Sequence, residues 1–328
     1  MAAEKTLYIH IGQDKTGTSA IQAFLHKNYD TLNARGFDTV GGRCLHHGEL
    51  QAALVRDDKA ALTAAADYVR NSTCNNFAIS FEGLYPLPEK KVAQLLQNFR
   101  EFKLVVVLYL RQHADKFRSG FAQNMKLLRP DQVQEAIALI NNDIDNLRPE
   151  QRWGMDYLGI VRRWQKQLGK AGKDNEFVLR VYEKSSLHER DLLTDFGRTV
   201  KLLREDESFD DSGFDRPKGG ANPSLSPTAQ YLTIVASLLK PEKPDLKALV
   251  QLLADCEEKG ADKLSLIPDA VVDVLDKKFA ADNKVLAQEF FGRDELFTEP
   301  RQFRYAKPDG EDFARLISEM AKARKLFD

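Results

Sequence analysis

TLYIHIGQDKTGTSAIQAFL, residues 6–25, is the stretch from which the fold can be predicted. Apolar side chains stand at every second position before Gly12, and after Ser19 they recur at helical spacing as far as Leu32. The stretch therefore predicts a strand, a glycine-bearing loop and a helix that follow one another directly.

The composition of this loop indicates an anion site. Gly12 and Gly17 permit turns that a Cβ atom would obstruct, and Thr18 or Ser19 is expected to cap the helix. The first N–H groups of a helix lack intrahelical acceptors and lie at the positive end of its dipole, so they favour a phosphate. Lys15 adds a mobile cation to the same loop.

The loop differs from the usual nucleoside-triphosphate loop, G-x-x-x-x-G-K-[ST]. Gly12 and Gly17 have the required separation, but Thr18 stands where that loop has its lysine. The lysine of this chain is at position 15, and it therefore reaches a different oxygen of the ligand.

Three further apolar runs, at 77–81, 104–110 and 177–182, predict the other strands of the same sheet. The run at 104–110 has no polar alternation, which is typical of a central parallel strand covered on both faces. Helical segments separate the runs, including a predicted helix at 131–142, and a further helix is predicted from about 190 to 203. This order predicts an α/β fold with a doubly wound parallel sheet flanked by helices and a helical C-terminal extension.

Ligands of such sheets bind at the carboxyl ends of the strands, so residues that follow each strand are candidate site residues. Glu82 follows the run at 77–81, and Arg111 follows the central strand. Ser119 lies eight residues after Arg111 on the next predicted helix. An arginine and a hydroxyl at these positions are suited to hold one phosphate group.

The string G-x-x-K-T-G-T-S after a strand resembles the 5′-phosphosulfate loop of sulfotransferases that use 3′-phosphoadenosine 5′-phosphosulfate (PAPS). The spacing from Arg111 to Ser119 resembles the 3′-phosphate motif of the same family. The resemblance implies a nucleotide-kinase-like (P-loop) fold and no metal. It also implies that the amides and hydroxyls of the loop hold the 5′-phosphate while Lys15 contacts the bridging oxygen. The cofactor-binding residues that it implies in the loop are Gly12, Lys15, Thr16, Gly17, Thr18 and Ser19.

Two weaker similarities extend the predicted site. Tyr182 ends the last predicted strand and resembles a tyrosine that contacts adenine in this family. Lys218 belongs to a glycine-rich basic segment that resembles another 3′-phosphate motif, although Pro217 interrupts its register. Two alternatives stay open: Tyr182 is a half-buried packing residue, and Lys218 belongs to a solvated loop.

Glu82 is the predicted catalytic base, because it stands at the carboxyl end of a strand beside the first one. Relatives use either histidine or glutamate in this role. His46 and His47 are the competing candidates, since their glycine-rich loop is able to reach the acceptor side of the cleft.

Composition limits the remaining possibilities. The 328 residues include 48 Lys and Arg against 49 Asp and Glu, so no overall charge attracts nucleic acid or a membrane surface. Three cysteines at wide spacing predict neither a disulfide framework nor a zinc site, and they favour a reducing compartment. The sequence contains no signal peptide or membrane span, so a cytoplasmic location is expected.

The predicted organisation is one sulfotransferase-like domain with a core at 1–205, a lid-like segment at 206–225 and a helical extension at 226–328. The acceptor is a hydroxyl compound, a glycan or a small alcohol, and the resemblance alone favours a carbohydrate. A P-loop kinase-like phosphotransferase and a non-catalytic nucleotide-binding interaction protein are the alternatives. The oligomeric state stays open.

Overall fold

A computed structural model describes residues 4–127, 154–172, 174–217, 225–238, 243–256 and 264–324. The predicted helix at 131–142 and the predicted ligand Lys218 lie outside these residues. The chain divides into two compact units. The first unit comprises Met1–Arg111, Asp156–Gly219 and Ala281–Glu299, and the second comprises Gln112–Met155, Gly220–Ala280 and Pro300–Asp328. The sequence-based boundaries at 205 and 225 stay a prediction.

In chain order the described helices and strands are β1 Thr6–His10, α1 Thr18–Lys27, α2 Tyr29–Ala34, β2 Phe37–Thr39, α3 Gly48–Arg56, α4 Lys59–Asn71, β3 Asn76–Ser80, α5 Glu89–Asn98, β4 Lys103–Leu110, α6 His113–Leu127, α7 Tyr157–Ala171, β5 Glu176–Val181, α8 Leu192–Thr199, α9 Pro227–Leu238, α10 Lys243–Asp255, β6 Leu264–Ser265, α11 Asp269–Phe291, β7 Arg304–Tyr305 and α12 Gly310–Arg324. Short 3₁₀ turns occur at Glu82–Leu84, Lys184–Ser186, His188–Arg190 and Asp210–Ser212.

The first unit is built on a five-stranded sheet with the order β2-β3-β1-β4-β5. Every neighbouring pair in it is parallel. In the register, His10 of β1 lies opposite Ser80 of β3 and Val107 of β4. The α/β class and the parallel sheet are therefore confirmed, and the arrangement is compatible with a doubly wound fold. The three later predicted strands lie within one residue of their predicted bounds.

Alternation along the strands explains why helices cover both faces of this sheet. Leu7 and Ile9 belong to one hydrophobic cluster, whereas Tyr8 between them belongs to the other. The first cluster includes side chains from α3, α4, α5 and α7, and the second includes side chains from α1, α2 and α8. Both clusters are fully buried at their centres, so the unit has three layers with the sheet in the middle.

A buried carboxylate attaches α8 to the sheet. Asp195 is completely buried and accepts hydrogen bonds from the Tyr109 hydroxyl at 2.7 Å, the Arg180 Nε at 3.0 Å and the His188 amide at 2.9 Å. The helix that the sequence predicts from about 190 to 203 is shorter in the structure, because it starts after the 3₁₀ turn and ends at Thr199.

Part of the segment predicted to be lid-like packs on the first unit. Phe209 and Phe214 are buried, and their ring centroids lie 5.6 and 5.3 Å from that of Phe24 on α1. The described residues 206–217 thus contribute to the second hydrophobic cluster of the sheet.

The second unit is mainly helical and is organised around Arg118 of α6. This side chain is almost completely buried and donates to the carbonyl oxygens of Phe303 and Ile267, each at 2.9 Å, and to the Asp269 carboxylate at 2.6 Å. A short parallel pair, β6 with β7, accompanies the helices. Among the residues that the structure describes, no helix combines the length and the apolar character needed to cross a bilayer.

Candidate functional site

The candidate site lies in the first unit, where β1 and β3 end side by side. Gly12 follows β1 with a φ of +53°, and a Cβ atom there would lie 3.2 Å from the Cα atom of Glu82 and 3.1 Å from Thr18 Oγ1. Only glycine combines this backbone conformation with so close an approach. The register of the sheet therefore brings Glu82 directly against the loop.

Gln13 connects this loop to two other parts of the first unit. Its side chain is completely buried, its Nε2 donates to the Tyr85 hydroxyl at 3.2 Å, and its Oε1 accepts from the Arg111 amide at 2.9 Å. Its carbonyl oxygen accepts from the hydroxyls of Thr16 at 2.6 Å and Thr18 at 3.1 Å. One residue thus fixes the loop between the ends of three strands.

The start of α1 differs from the prediction. Gly17 is the N-cap residue, no side chain caps the helix, and Thr18 is already its first helical residue. The expectation that Thr18 or Ser19 caps α1 is wrong, because the Thr18 hydroxyl donates back to Gln13 and Ser19 is exposed to solvent. The groups that α1 offers at its start are its backbone N–H groups.

Lys15 occupies a backbone conformation that is unusual for a residue with a side chain, with φ at +68°. Its carbonyl oxygen accepts a hydrogen bond of 3.0 Å from Nη1 of Arg111, which helps to hold this conformation. Burial lowers the pKa of the Lys15 ammonium; Asp14 opposes this effect, and the charge of Arg111 adds to it. Two cations are therefore held close together at one loop.

Tyr182, which directly follows β5, lies beside Gly17 of the loop. The Tyr182 amide donates to the carbonyl oxygen of Leu110 at 2.7 Å, which extends the pairing of β4 with β5. A Cβ atom on Gly17 would lie 3.4 Å from the Tyr182 ring and 2.2 Å from Leu192. The Arg111 guanidinium lies 5.8 Å from the centroid of the same ring. The structure thus brings Lys15, Arg111 and Tyr182 around Gly17.

The Glu82 carboxylate is oriented by the helix that follows the loop. Gln22 of α1 is buried, and its Nε2 donates to Glu82 Oε2 at 3.1 Å and to the carbonyl oxygen of Ser80 at 3.4 Å. Glu82 itself is half-buried and lies against the loop after β1. This position suits a proton acceptor for a ligand above the loop.

His47 contacts the backbone of Ser80, the last residue of β3. The Ser80 amide donates to its Nδ1 at 3.0 Å, so Nε2 carries the proton of the neutral ring and lies 3.6 Å from Cys44 Sγ. Burial lowers the pKa of His47 to about 4, and it raises the pKa of the Cys44 thiol. The pair is therefore neutral. His46 is exposed, and its ring lies 5.3 Å from that of Phe81.

Two of the predicted site residues, Ser119 and Lys218, stay predictions. Ser119 is buried on α6 and belongs to the second unit, so its pairing with Arg111 stays a prediction. Lys218 lies outside the described residues. Within the described parts of the chain, no group of three or more His, Cys, Asp or Glu side chains is arranged to hold a metal ion.

Sequence reasoning missed Gln13 and Gln22. Neither has a local pattern that separates it from other polar residues of a loop or a helix. In the motif G-x-x-K, Gln13 occupies one of the unspecified positions between Gly12 and Lys15. Its hydrogen-bond partners lie 72 and 98 positions away along the chain.

No protein-family model, no curated protein and no solved structure matches this chain. We therefore infer the chemistry of the site from its residues and contacts.

Gly17→Ala is expected to lower the free energy of unfolding by about 2 to 4 kcal/mol, because the new methyl group meets Leu192 in a left-handed backbone conformation. Gly36→Ala is the matched control, since Gly36 has a similar φ of +73° and a Cβ atom there would have no neighbouring atom within 4 Å. The control should lose about 1 to 2 kcal/mol in urea unfolding. Equal losses would show that the contact with Leu192 relaxes without cost.

His47→Asn is expected to flatten the dependence of stability on pH. The folded state holds the pKa of His47 at about 4, below the ordinary value of 6.5, so the unfolded state takes up more protons between these values. Stability from the neutral ring is complete above pH 6.5 and decreases as the pH falls. The wild type should lose about 2 to 3 kcal/mol more than the variant between pH 7.5 and pH 4.5.

Urea unfolding at a series of pH values measures this difference, and the exposed His26 provides the control variant His26→Asn. The control should follow the wild type throughout. A His47→Asn curve parallel to that of the wild type would contradict a neutral, buried His47.

Proposed function

We propose that this chain is a sulfotransferase that moves a sulfuryl group from PAPS to an acceptor hydroxyl. The observation that carries the proposal is the hydrogen bond from the Arg111 guanidinium to the carbonyl oxygen of Lys15. It keeps a second positive charge beside Lys15 at the start of a helix, and the charge of Arg111 adds to the lowering of the Lys15 pKa that burial causes. A bound anion with several oxygens would relieve this repulsion.

The donor set of the loop fits a phosphosulfate. The N–H groups at the start of α1 and the Lys15 ammonium supply donors for the 5′-phosphosulfate, and the Arg111 guanidinium supplies donors for the 3′-phosphate. The Tyr182 ring beside Gly17 supplies an aromatic surface for a base. The central position of β1, with the loop and α1 directly after it, supports a P-loop type of fold. A 3′-phosphate contact by Ser119 and Lys218 belongs to the same proposal.

PAPS supplies the sulfuryl group, whose bond to the 5′-phosphate oxygen breaks as the acceptor oxygen bonds to sulfur. Lys15 stabilises the negative charge on the departing phosphate. Glu82, oriented by Gln22, takes the proton of the acceptor hydroxyl. His47 is less suited to this step, because its Nδ1 is occupied by the Ser80 amide and its Nε2 carries a proton.

The position of the lysine favours sulfuryl over phosphoryl transfer, since the triphosphate loop needs a lysine where this chain has Thr18. The resemblance to the family favours a carbohydrate hydroxyl as acceptor. The three free cysteines fit a reducing compartment, and a cytoplasmic location is part of the proposal.

Adenosine 3′,5′-bisphosphate is expected to bind without magnesium and more tightly than ATP or ADP, as measured by titration calorimetry. Lys15→Met should weaken this binding tenfold or more, because a charge-assisted contact is lost. Lys27→Met is the matched control on the far end of α1 and should bind within twofold of the wild type. Preference for ATP with magnesium would instead support a kinase-like phosphotransferase, and tight bisphosphate binding with no sulfuryl transfer would support a binding protein.

Glu82→Gln is expected to lower kcat for transfer from labelled PAPS by about 10² to 10⁴, with bisphosphate affinity within twofold of the wild type. Glutamine retains an acceptor oxygen for Gln22, so the local structure should be kept. His47→Asn serves as the comparison and should retain most of its turnover. The opposite pattern, an active Glu82→Gln and an inactive His47→Asn with intact fold, would assign the base to His47.

A further inference from the structure

The backbone of Arg111 is held on both sides by side chains of the first unit. Its N–H group donates to Gln13 Oε1 at 2.9 Å, and its carbonyl oxygen accepts a hydrogen bond of 2.8 Å from the Tyr157 hydroxyl. Arg111 lies in the short connection between β4 and α6, where the strand ladder has ended. The two side chains therefore fix the peptide groups from which the guanidinium extends.

Tyr157 is itself firmly placed. Its side chain is almost completely buried in the first hydrophobic cluster, and the ring of Phe297 packs against it edge-on, with centroids 6.5 Å apart. It is the first residue of α7, and Asp156 caps this helix by accepting a hydrogen bond of 2.8 Å from the Gly159 amide. Both the ring and the backbone of Tyr157 thus hold its hydroxyl in place.

The Arg111 side chain has little freedom to compensate for a shift of its backbone. It is buried, its Nη1 donates to the Lys15 carbonyl oxygen at 3.0 Å, and its guanidinium lies 5.8 Å from the centroid of the Tyr182 ring. In a closely packed interior, a displaced backbone carries such a side chain with it. The position of the Arg111 carbonyl group therefore affects the position of the guanidinium.

We propose that Tyr157 is a positioning residue that holds the Arg111 guanidinium in place for the 3′-phosphate of the nucleotide. This inference rests on the proposed function, because it takes Arg111 as a ligand of that phosphate. A contact between a guanidinium and a phosphate depends on the directions of the N–H groups, so it weakens when the guanidinium moves. The Tyr157 hydroxyl acts through the Arg111 carbonyl oxygen, to which it donates.

A purely structural role for this hydroxyl would have a different consequence. The loss of a buried hydrogen bond would lower stability and would affect the binding of similar nucleotides to the same extent. Adenosine 3′,5′-bisphosphate and adenosine 5′-phosphate differ only in the 3′-phosphate. The Kd of the monophosphate divided by that of the bisphosphate therefore measures the contribution of the 3′-phosphate contact.

The test measures this ratio by titration calorimetry on the full chain. Tyr157→Phe keeps the ring in the hydrophobic cluster and should lower the ratio by about fivefold or more. Tyr68→Phe is the matched control, because it also removes one hydroxyl hydrogen bond, the one of 2.7 Å to Asp38 Oδ2. The control should leave the ratio within about twofold of the wild type. Circular dichroism and urea unfolding check that both variants fold.

Arg111→Met provides the second half of the test. This substitution alone should lower the ratio by about tenfold or more. Adding Tyr157→Phe to it should change the ratio by less than about twofold, because the group that Tyr157 positions is absent. In a wild type that prefers the bisphosphate, an unchanged ratio in Tyr157→Phe, or a further fall of about fivefold in the double variant, would overturn the proposal.

Inorganic sulfate separates this proposal from the proposed function. A wild type that binds the bisphosphate no more tightly than the monophosphate would remove the proposed function. The positioning role then still predicts that sulfate raises the Tm of Tyr157→Phe less than that of Tyr68→Phe, and that Tyr157→Phe has no such effect when Arg111→Met is also present. Equal increases in Tm for the two single variants would overturn the positioning role as well.

Discussion

The side-chain amide of Gln13 is the interaction on which the candidate site depends. It lies in the loop after β1, and its two ends bond to the Tyr85 hydroxyl and to the Arg111 amide. Both partners are in the buried part of the first unit, where an unpaired polar group is costly. Because these buried polar groups would be costly without partners, their hydrogen bonds hold the loop in place. The positions of Lys15 and Arg111 depend on the same hydrogen bonds.

The same arrangement explains how the loop keeps two unfavourable features. Lys15 has a left-handed backbone and a neighbouring cation, each of which raises the free energy of the folded chain. The hydrogen bonds of Gln13 and the close packing of Gly12 against Glu82 hold the loop where these features persist. Such retained strain is common where proteins bind anions or carry out chemistry.

The main strands of the sheet were predictable from the sequence, and one edge strand was not. The run at 104–110 is apolar throughout because β4 is covered on both faces, and this local pattern is sufficient to identify it. β2 has three residues with Asp38 at its centre. The Asp38 carboxylate accepts hydrogen bonds from the Thr39 amide and the Tyr68 hydroxyl. The contact with Tyr68 forms only in the folded chain, so the local pattern of hydrophobicity does not indicate it.

Site residues, too, could be predicted only where a local pattern of the sequence marks them. Lys15, Glu82 and Arg111 were identifiable because each follows a strand, and the parallel sheet brings such positions to one edge. Capping of α1 could not be predicted from residue type, because the Thr18 hydroxyl has a competing acceptor in Gln13. Gln22 was equally hidden, since its partner Glu82 is 60 positions away along the chain.

The alanines of α4 that line a cavity of about 380 Å³ between α3 and α4 have a thermodynamic consequence. An alanine side chain has no rotamers, so this wall loses no conformational entropy when a molecule settles against it. Binding there would be limited by desolvation and by the freedom of the ligand itself. A rigid apolar molecule would therefore be held more tightly than a flexible one of equal surface area.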